Sequence, residues 1–194
     1  PAARELPEEF LSLMNVGKNL LEQGDARQAL ETYRKAAALV PNDVDVRLNI
    51  ANALLAADAS ADAVRETDEI LRLAPNSAAA WFVKGSAQLR LGESREAVKS
   101  FENARQIDPS ETATCFQLGR ARVELQQWSE AITVLREGLA MDPNHLHTAV
   151  HYLLGQSLMR LGRTEEARQE LEQHQAAREA DARTATAATF ERSK

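Results

Sequence analysis

Residues 78–111 read AAAWFVKGSAQLRLGESREAVKSFENARQIDPSE, and the rest of the chain keeps their beat. Pro109 closes the segment, and Pro41, Pro75 and Pro143 stand at the same 34-residue step. Gly85 is matched by Gly17, Ala51 and Gly119, with Gly155 following after a step of 36. Ala97 is matched by Ala29, Ala63, Ala131 and, with the same delay, Ala167. Three independent columns at one period mean that one supersecondary unit is repeated along the chain. Such a chain has no single central core and grows by stacking neighbours.

Each unit predicts two amphipathic helices of about fourteen residues joined by a tight turn. In the first unit Leu13, Val16, Gly17 and Leu20 lead to a turn at Gly24-Asp25, and Ala29, Tyr33 and Ala36 follow. Spacings of three and four give each helix one buried stripe, and the small residues at 17, 29 and 36 let the pair approach closely. The prolines, lacking an N–H, end each second helix. Asn42, Asn76, Ser110 and Asn144 follow them and are expected to cap the next first helix. Pro7-Glu8-Glu9 is expected to form a first helical turn, with proline at its first position and acids at the positive end of the dipole. The two extra residues before Gly155 fall in His145-Leu146-His147. After His174, residues 175–182 are expected to extend the last helix. The Thr-Ala run at 184–189 loses the apolar stripe and reads as a frayed cap or a linker.

These residues resemble the tetratricopeptide repeat, whose signature is W-x2-L-G-x2-Y, then A-x3-F, A and P. The third unit meets it with Trp81, Gly85, Ala97, Phe101, Ala104 and Pro109, and the fourth with Leu118, Gly119, Ala131, Leu135 and Pro143. The second is looser (Arg47, Ile50, Ala51, Leu54, Ala63, Thr67, Ile70, Pro75), and the fifth, His151 to Leu171, lacks the proline. The resemblance implies an all-α solenoid of αα-hairpins wound as a right-handed superhelix. It divides the chain into a lead-in at 1–9, five repeats at about 10–43, 44–77, 78–111, 112–147 and 148–174, and a helix extension or linker at 175–194.

Composition narrows the function. Charged residues make up 27% and the net charge is −6, a poor match to nucleic acid, which calls for a basic face. No apolar run is long enough to insert in a membrane. Cys115 is the one cysteine, so no intrachain disulfide forms; it falls on the Trp81 column and reads as a buried packing residue rather than a nucleophile. A cytoplasmic location is the favoured expectation, and a chain starting at Pro1 without methionine reads as a fragment. Nucleophile-elbow, phosphate-loop and zinc-protease motifs are lacking, so neither an enzyme nor a cofactor is expected. His147 and His151 lie one turn apart, a spacing that suits a divalent metal. With His145 they supply no third ligand of fixed geometry, and no metal is expected.

In the family resembled, first helices line the concave side, which places Met14, Leu48, Phe82, Phe116 and Tyr152 in one column. These residues read either as flat apolar contacts for a bound peptide or helix, or as side chains half buried against the neighbouring unit. The next column carries Asn15, Asn49, Val83, Gln117 and Leu153, and a third carries Lys18, Asn52, Ser86, Arg120 and Gln156. Amides both donate and accept, so they bond a peptide backbone without reading its sequence. The expected site is therefore a peptide-binding groove of Asn15, Lys18, Asn49, Asn52, Phe82, Ser86, Phe116, Gln117, Arg120, Tyr152 and Gln156, open to an acidic or C-terminal carboxylate ligand on a partner protein of unknown identity. The clamp with which related modules hold acidic chaperone tails is not matched: its positions carry Met14, Lys18, Asn49, Ala79 and Val83, and Asn49 alone agrees. A second reading is a structural scaffold or spacer that self-associates through its terminal repeats or docks another domain of its parent chain.

Overall fold

Alternating stripes of small and large apolar residues leave each helix stable only when paired, and the chain pairs them in order. The computed structural model describes residues 7–141 and 149–192, without the side chains of residues 181 and 184–192. Among the described residues every element is an α-helix. The first compact unit, ending at Asp108, holds α1 (Glu8–Glu22), α2 (Ala26–Leu39), α3 (Val44–Ala56), α4 (Ser60–Leu73), α5 (Ala78–Arg90) and α6 (Ser94–Ile107). The second, starting at Pro109, holds α7 (Thr112–Glu124), α8 (Trp128–Met141), α9 (Ala149–Arg160) and α10 (Thr164–Arg192). Helices pack as hairpins: α1 with α2, α3 with α4, and so on to α9 with α10.

The alanine column at 29, 63, 97, 131 and 167 is fully buried in all five hairpins. The glycine column explains why. A methyl group added at Gly17 would sit 2.5 Å from the Tyr33 ring, and one at Gly85 2.8 Å from the Phe101 ring. Gly119 meets Leu135 and Gly155 meets Leu171 in the same way. Each first helix thus lies directly against a large side chain sixteen residues later. In the second hairpin Ala51 replaces glycine, and Thr67, fully buried, replaces the large residue. Around these contacts the first unit gathers Phe10, Tyr33, Ile50, Leu54 and Ile70, and the second Ile132, Leu135, Leu154 and Leu158. Each such side chain contributes about 1.5–3 kcal/mol relative to exposure.

Two expectations about helix starts are corrected. The caps are Asp43, Ser77 and Glu111, whose side chains accept from the N–H groups of Val46, Ala80 and Ala113, rather than Asn42, Asn76 and Ser110. The cause is a turn: Asp43 N–H bonds Val40 O and Ser77 N–H bonds Ala74 O, which places Pro41-Asn42 and Pro75-Asn76 at its two central positions. The cap role passes to the next residue. The corresponding Asn144 lies outside the described residues. Pro7 is the residue before α1 rather than its first, and its carbonyl accepts from Leu11. At the other end α10 runs on to Arg192 through the Thr-Ala run expected to fray or unwind. Alanines at 180, 182, 185, 187 and 188 are the strongest helix formers and sustain it.

All five first helices end alike. Gly24 N–H bonds Leu21 O while Asp25 N–H bonds Leu20 O, and the same pair of bonds recurs at 58/59, 92/93, 126/127 and 162/163. This Schellman closure requires a left-handed residue. Glycine supplies it at 24, 92 and 162, but Asp58 and Gln126 adopt it at φ 58° and 59°. Left-handed backbone costs a side-chain-bearing residue about 1–2 kcal/mol, partly offset by the greater freedom glycine loses on folding. Gln126→Gly is therefore expected to stabilise the protein by about 0.5–1 kcal/mol, read as a higher urea midpoint at unchanged slope; a lower midpoint contradicts this account of the turn.

Candidate functional site

In the first unit α1 touches α3 and α3 touches α5, whereas α2 and α4, and α4 and α6, make no such approach. First helices thus crowd together on the inside of the unit and second helices splay on the outside. The expected site residues of this unit all lie on the crowded helices: Asn15 and Lys18 on α1, Asn49 and Asn52 on α3, Phe82 and Ser86 on α5. Asn15, Lys18 and Asn52 are exposed; Asn49, Phe82 and Ser86 are half-buried. In the second unit Phe116, Gln117 and Arg120 lie on α7, which touches α9 with Tyr152 and Gln156.

The aromatic column serves the fold as well as the surface. Phe82 meets Phe101 of its own hairpin edge-on, with centroids 5.8 Å apart and planes at 61°. Tyr152 lies against the His174 ring at 5.6 Å, and Phe116 packs on the second core. The gap in the amide column at Val83 has the same origin, since Val83 is buried in the first core.

The amides differ. Asn15, Asn49, Asn52, Gln117 and Gln156 make no side-chain hydrogen bond among the described residues, although Asn49, Gln117 and Gln156 are half-buried. Fully buried polar side chains, by contrast, are satisfied: Ser100 donates to Gln88 at 2.6 Å, and Thr67 to Val64 O at 2.8 Å. The cations near the groove are already engaged. Lys18 faces Glu22 at 3.9 Å and Arg120 faces Glu124 at 3.7 Å, both one helical turn along. Arg90 donates to Leu55 O at 2.6 Å and pairs with Asp58, and Arg160 lies over the Trp128 ring. The surface is amide-rich rather than basic. A position that sequence reasoning passed over is Lys84, held between Asp68 at 2.6 Å and the Trp81 ring.

His151 is buried and its Nδ1 lies 2.7 Å from Glu170 Oε2. His145 and His147 lie outside the described residues; among those described, no three side chains of metal-binding type converge. Cys115 is buried, with Gly138 drawn up against its Cβ. No helix is long and apolar enough to cross a membrane among the described residues.

Three family models described as Tetratricopeptide repeat match residues 20–86, 78–111 and 116–185, which together span most of the chain. The chain belongs to the tetratricopeptide repeat family. Among solved structures it resembles MamA 41-end from Desulfovibrio magneticus RS-1, with TM-score 0.79 and 20% identity over 91% of this chain and 98% of that one. It also resembles MamA AMB-1, with TM-score 0.70 and 23% identity over 88% and 92%. These likenesses establish the fold. No curated protein matches the sequence.

In the second unit an electrostatic tie joins the second helices α8 and α10. Glu166 accepts from Arg163 at 2.6 Å and from Arg136 of α8 at 2.9 Å. Those two guanidiniums hold its carboxyl at about 2, below the ordinary 4.5. A depressed carboxylate stabilises the fold above the unfolded value and loses that effect as pH falls through the folded one. The wild-type melting temperature is therefore expected to drop more between pH 4.5 and about 2 than that of Glu166→Gln. The difference should shrink in high salt because the group is exposed; parallel acid limbs contradict it.

Proposed function

We propose that this protein is a non-catalytic interaction module that holds an extended peptide or helix of a partner protein along its first helices. The observation that carries the reading is the set of unpaired amides on adjoining helices. Asn49 is half-buried and makes no side-chain hydrogen bond among the described residues, with Asn52 one turn along α3 and Asn15 at the aligned position of α1. Their amide atoms are open to solvent rather than buried, and a peptide backbone offers the matching donor and acceptor. Phe82 and Ser86 extend that surface on α5; Phe116, Gln117, Arg120, Tyr152 and Gln156 offer a similar one on the second unit. Membership of the family supports the general role.

A second reading, a scaffold that self-associates through its terminal repeats, rests on exposed apolar residues at the terminal hairpins. Tyr152 and Met159, seven residues apart on α9, are 49% and 48% exposed, and Leu11 and Val16 on α1 are 48% and 46% exposed. On the interior hairpins the residues aligned with Met159, namely Leu55, Leu89 and Val123, are buried.

Capture from source-cell lysate with the wild-type chain beside Asn49→Ala/Asn52→Ala tests the first reading. We expect a protein retained by the wild type and lost by the variant, at nearly unchanged melting temperature because neither side chain is bonded within the described fold and both amides are open to solvent. Equal capture overturns the groove reading. Assembly that grows with concentration in sedimentation, and that Met159→Glu abolishes, would then favour the scaffold.

A further inference from the structure

The outer side of the first unit carries a groove of about 790 Å³ between α2 and α4. Its floor is apolar, with Ala37, Ala38, Pro41, Ile50 and Leu54. The groove reflects two substitutions in the repeat. One period later, Leu71 and Trp81 stand where this site has Ala37 and Arg47. The Trp81 indole N–H donates to Pro75 O at 3.0 Å, and Arg47 Nε donates to the equivalent Pro41 O at 3.1 Å. Arg47 thus takes over the indole's anchor but not its bulk, and Ala37 leaves further room beside it.

The charges around the groove are unevenly matched. Its acids each have a cation: Glu66 pairs with Arg47 at 2.7 Å, Asp68 with Lys84 at 2.6 Å, Asp62 with Arg65 and Glu69 with Arg72. Arg34, exposed on α2 and lining the same groove, pairs with nothing among the described residues. Two of the Arg47 guanidinium nitrogens are held, Nε by Pro41 O and a terminal nitrogen by Glu66. A fixed guanidinium plane is a surface on which an aromatic ring stacks, and an unpaired arginine has N–H donors to offer a carboxylate.

We propose that this groove is a second binding site, which takes an aromatic side chain flanked by a carboxylate from a peptide segment of a partner protein. The ring lies on Arg47 over Ala37 and Ala38, and the carboxylate meets Arg34. The site lies between α2 and α4 against the Arg47, Ile50 and Leu54 side of α3, and its lining includes neither Asn49 nor Asn52, so the module holds two segments at once.

The test is a titration of the isotope-labelled full chain followed by amide NMR shifts. The probe is the acetylated, amidated peptide Ala-Asp-Trp-Glu-Ala, beside versions with alanine for the tryptophan and with lysine for both acids. We expect saturable shifts at Ala37, Ala38 and Ile50 with the first peptide, and at least tenfold weaker binding of the other two. Arg34→Glu should weaken binding at least tenfold. Ala37→Leu, which installs the residue found at position 71, should do the same by filling the floor. Neither change removes a buried contact, and unchanged melting temperatures confirm that the fold is intact. Asn49→Ala/Asn52→Ala should leave the titration as it is, which separates this site from the amide surface. The proposal is overturned by shifts absent from the groove, by equal binding of the lysine peptide, by indifference to either groove variant, or by loss of binding in the amide variant.

Discussion

Everything in this molecule depends on how closely the two helices of a hairpin can approach. The distance is set where a first helix lays bare backbone against a bulky side chain of its partner: Gly17 against Tyr33, Gly85 against Phe101, Gly119 against Leu135, Gly155 against Leu171. A protein interior is packed as densely as an organic crystal, so a methyl group in that contact forces a shift rather than a compromise. The second hairpin shows the rule from the other side. It has a methyl group, at Ala51, and there the facing residue has shrunk to Thr67. The methyl group is accommodated because the residue facing it is smaller.

Fixing the hairpin also fixes which residues reach the surface. Although Val83, two places before Gly85, is buried, the residues two places before and one place after the glycine reach the surface in the first and fourth hairpins. These are Asn15 and Lys18 around Gly17, and Gln117 and Arg120 around Gly119. Because first helices crowd while second helices splay, the first unit presents two unlike surfaces. One is a dense face of unpaired amides. The other is a gap between α2 and α4, shaped by what the repeat omits there. A solenoid of this kind changes its partners by altering these columns while leaving the seam alone.

Much of this was legible in the sequence, and the reasons for the exceptions are local. The proline, glycine and alanine columns report backbone constraints, and those repeat faithfully. The caps were misplaced by one residue because Pro-Asn occupies a turn's centre, which the dipeptide alone does not reveal. The left-handed closures at Asp58 and Gln126 carry no glycine to announce them, yet follow from their place in the period. Residues 184–189 lack an apolar stripe but keep enough alanine to stay helical. At the site, residue types could be read but pairing could not. The sequence placed amides and cations in the same columns; the structure shows the amides free and Lys18, Arg90 and Arg120 engaged. The groove beside Arg47 was hidden because it is made by smaller residues at positions that otherwise look like a weak match to the family.

The central claim is that seam volume, shared between two residues, sets the hairpin. A double-mutant cycle at Gly85 and Phe101 tests it most directly, by urea unfolding of wild type, Gly85→Ala, Phe101→Val and the pair. Valine has the shape of Thr67, so the double variant copies the Ala51–Thr67 seam. The account predicts that Gly85→Ala costs about 1–3 kcal/mol beside phenylalanine and close to nothing beside valine, a coupling above about 1 kcal/mol. An equal cost in both backgrounds would mean that the glycine column answers to something other than the ring it faces.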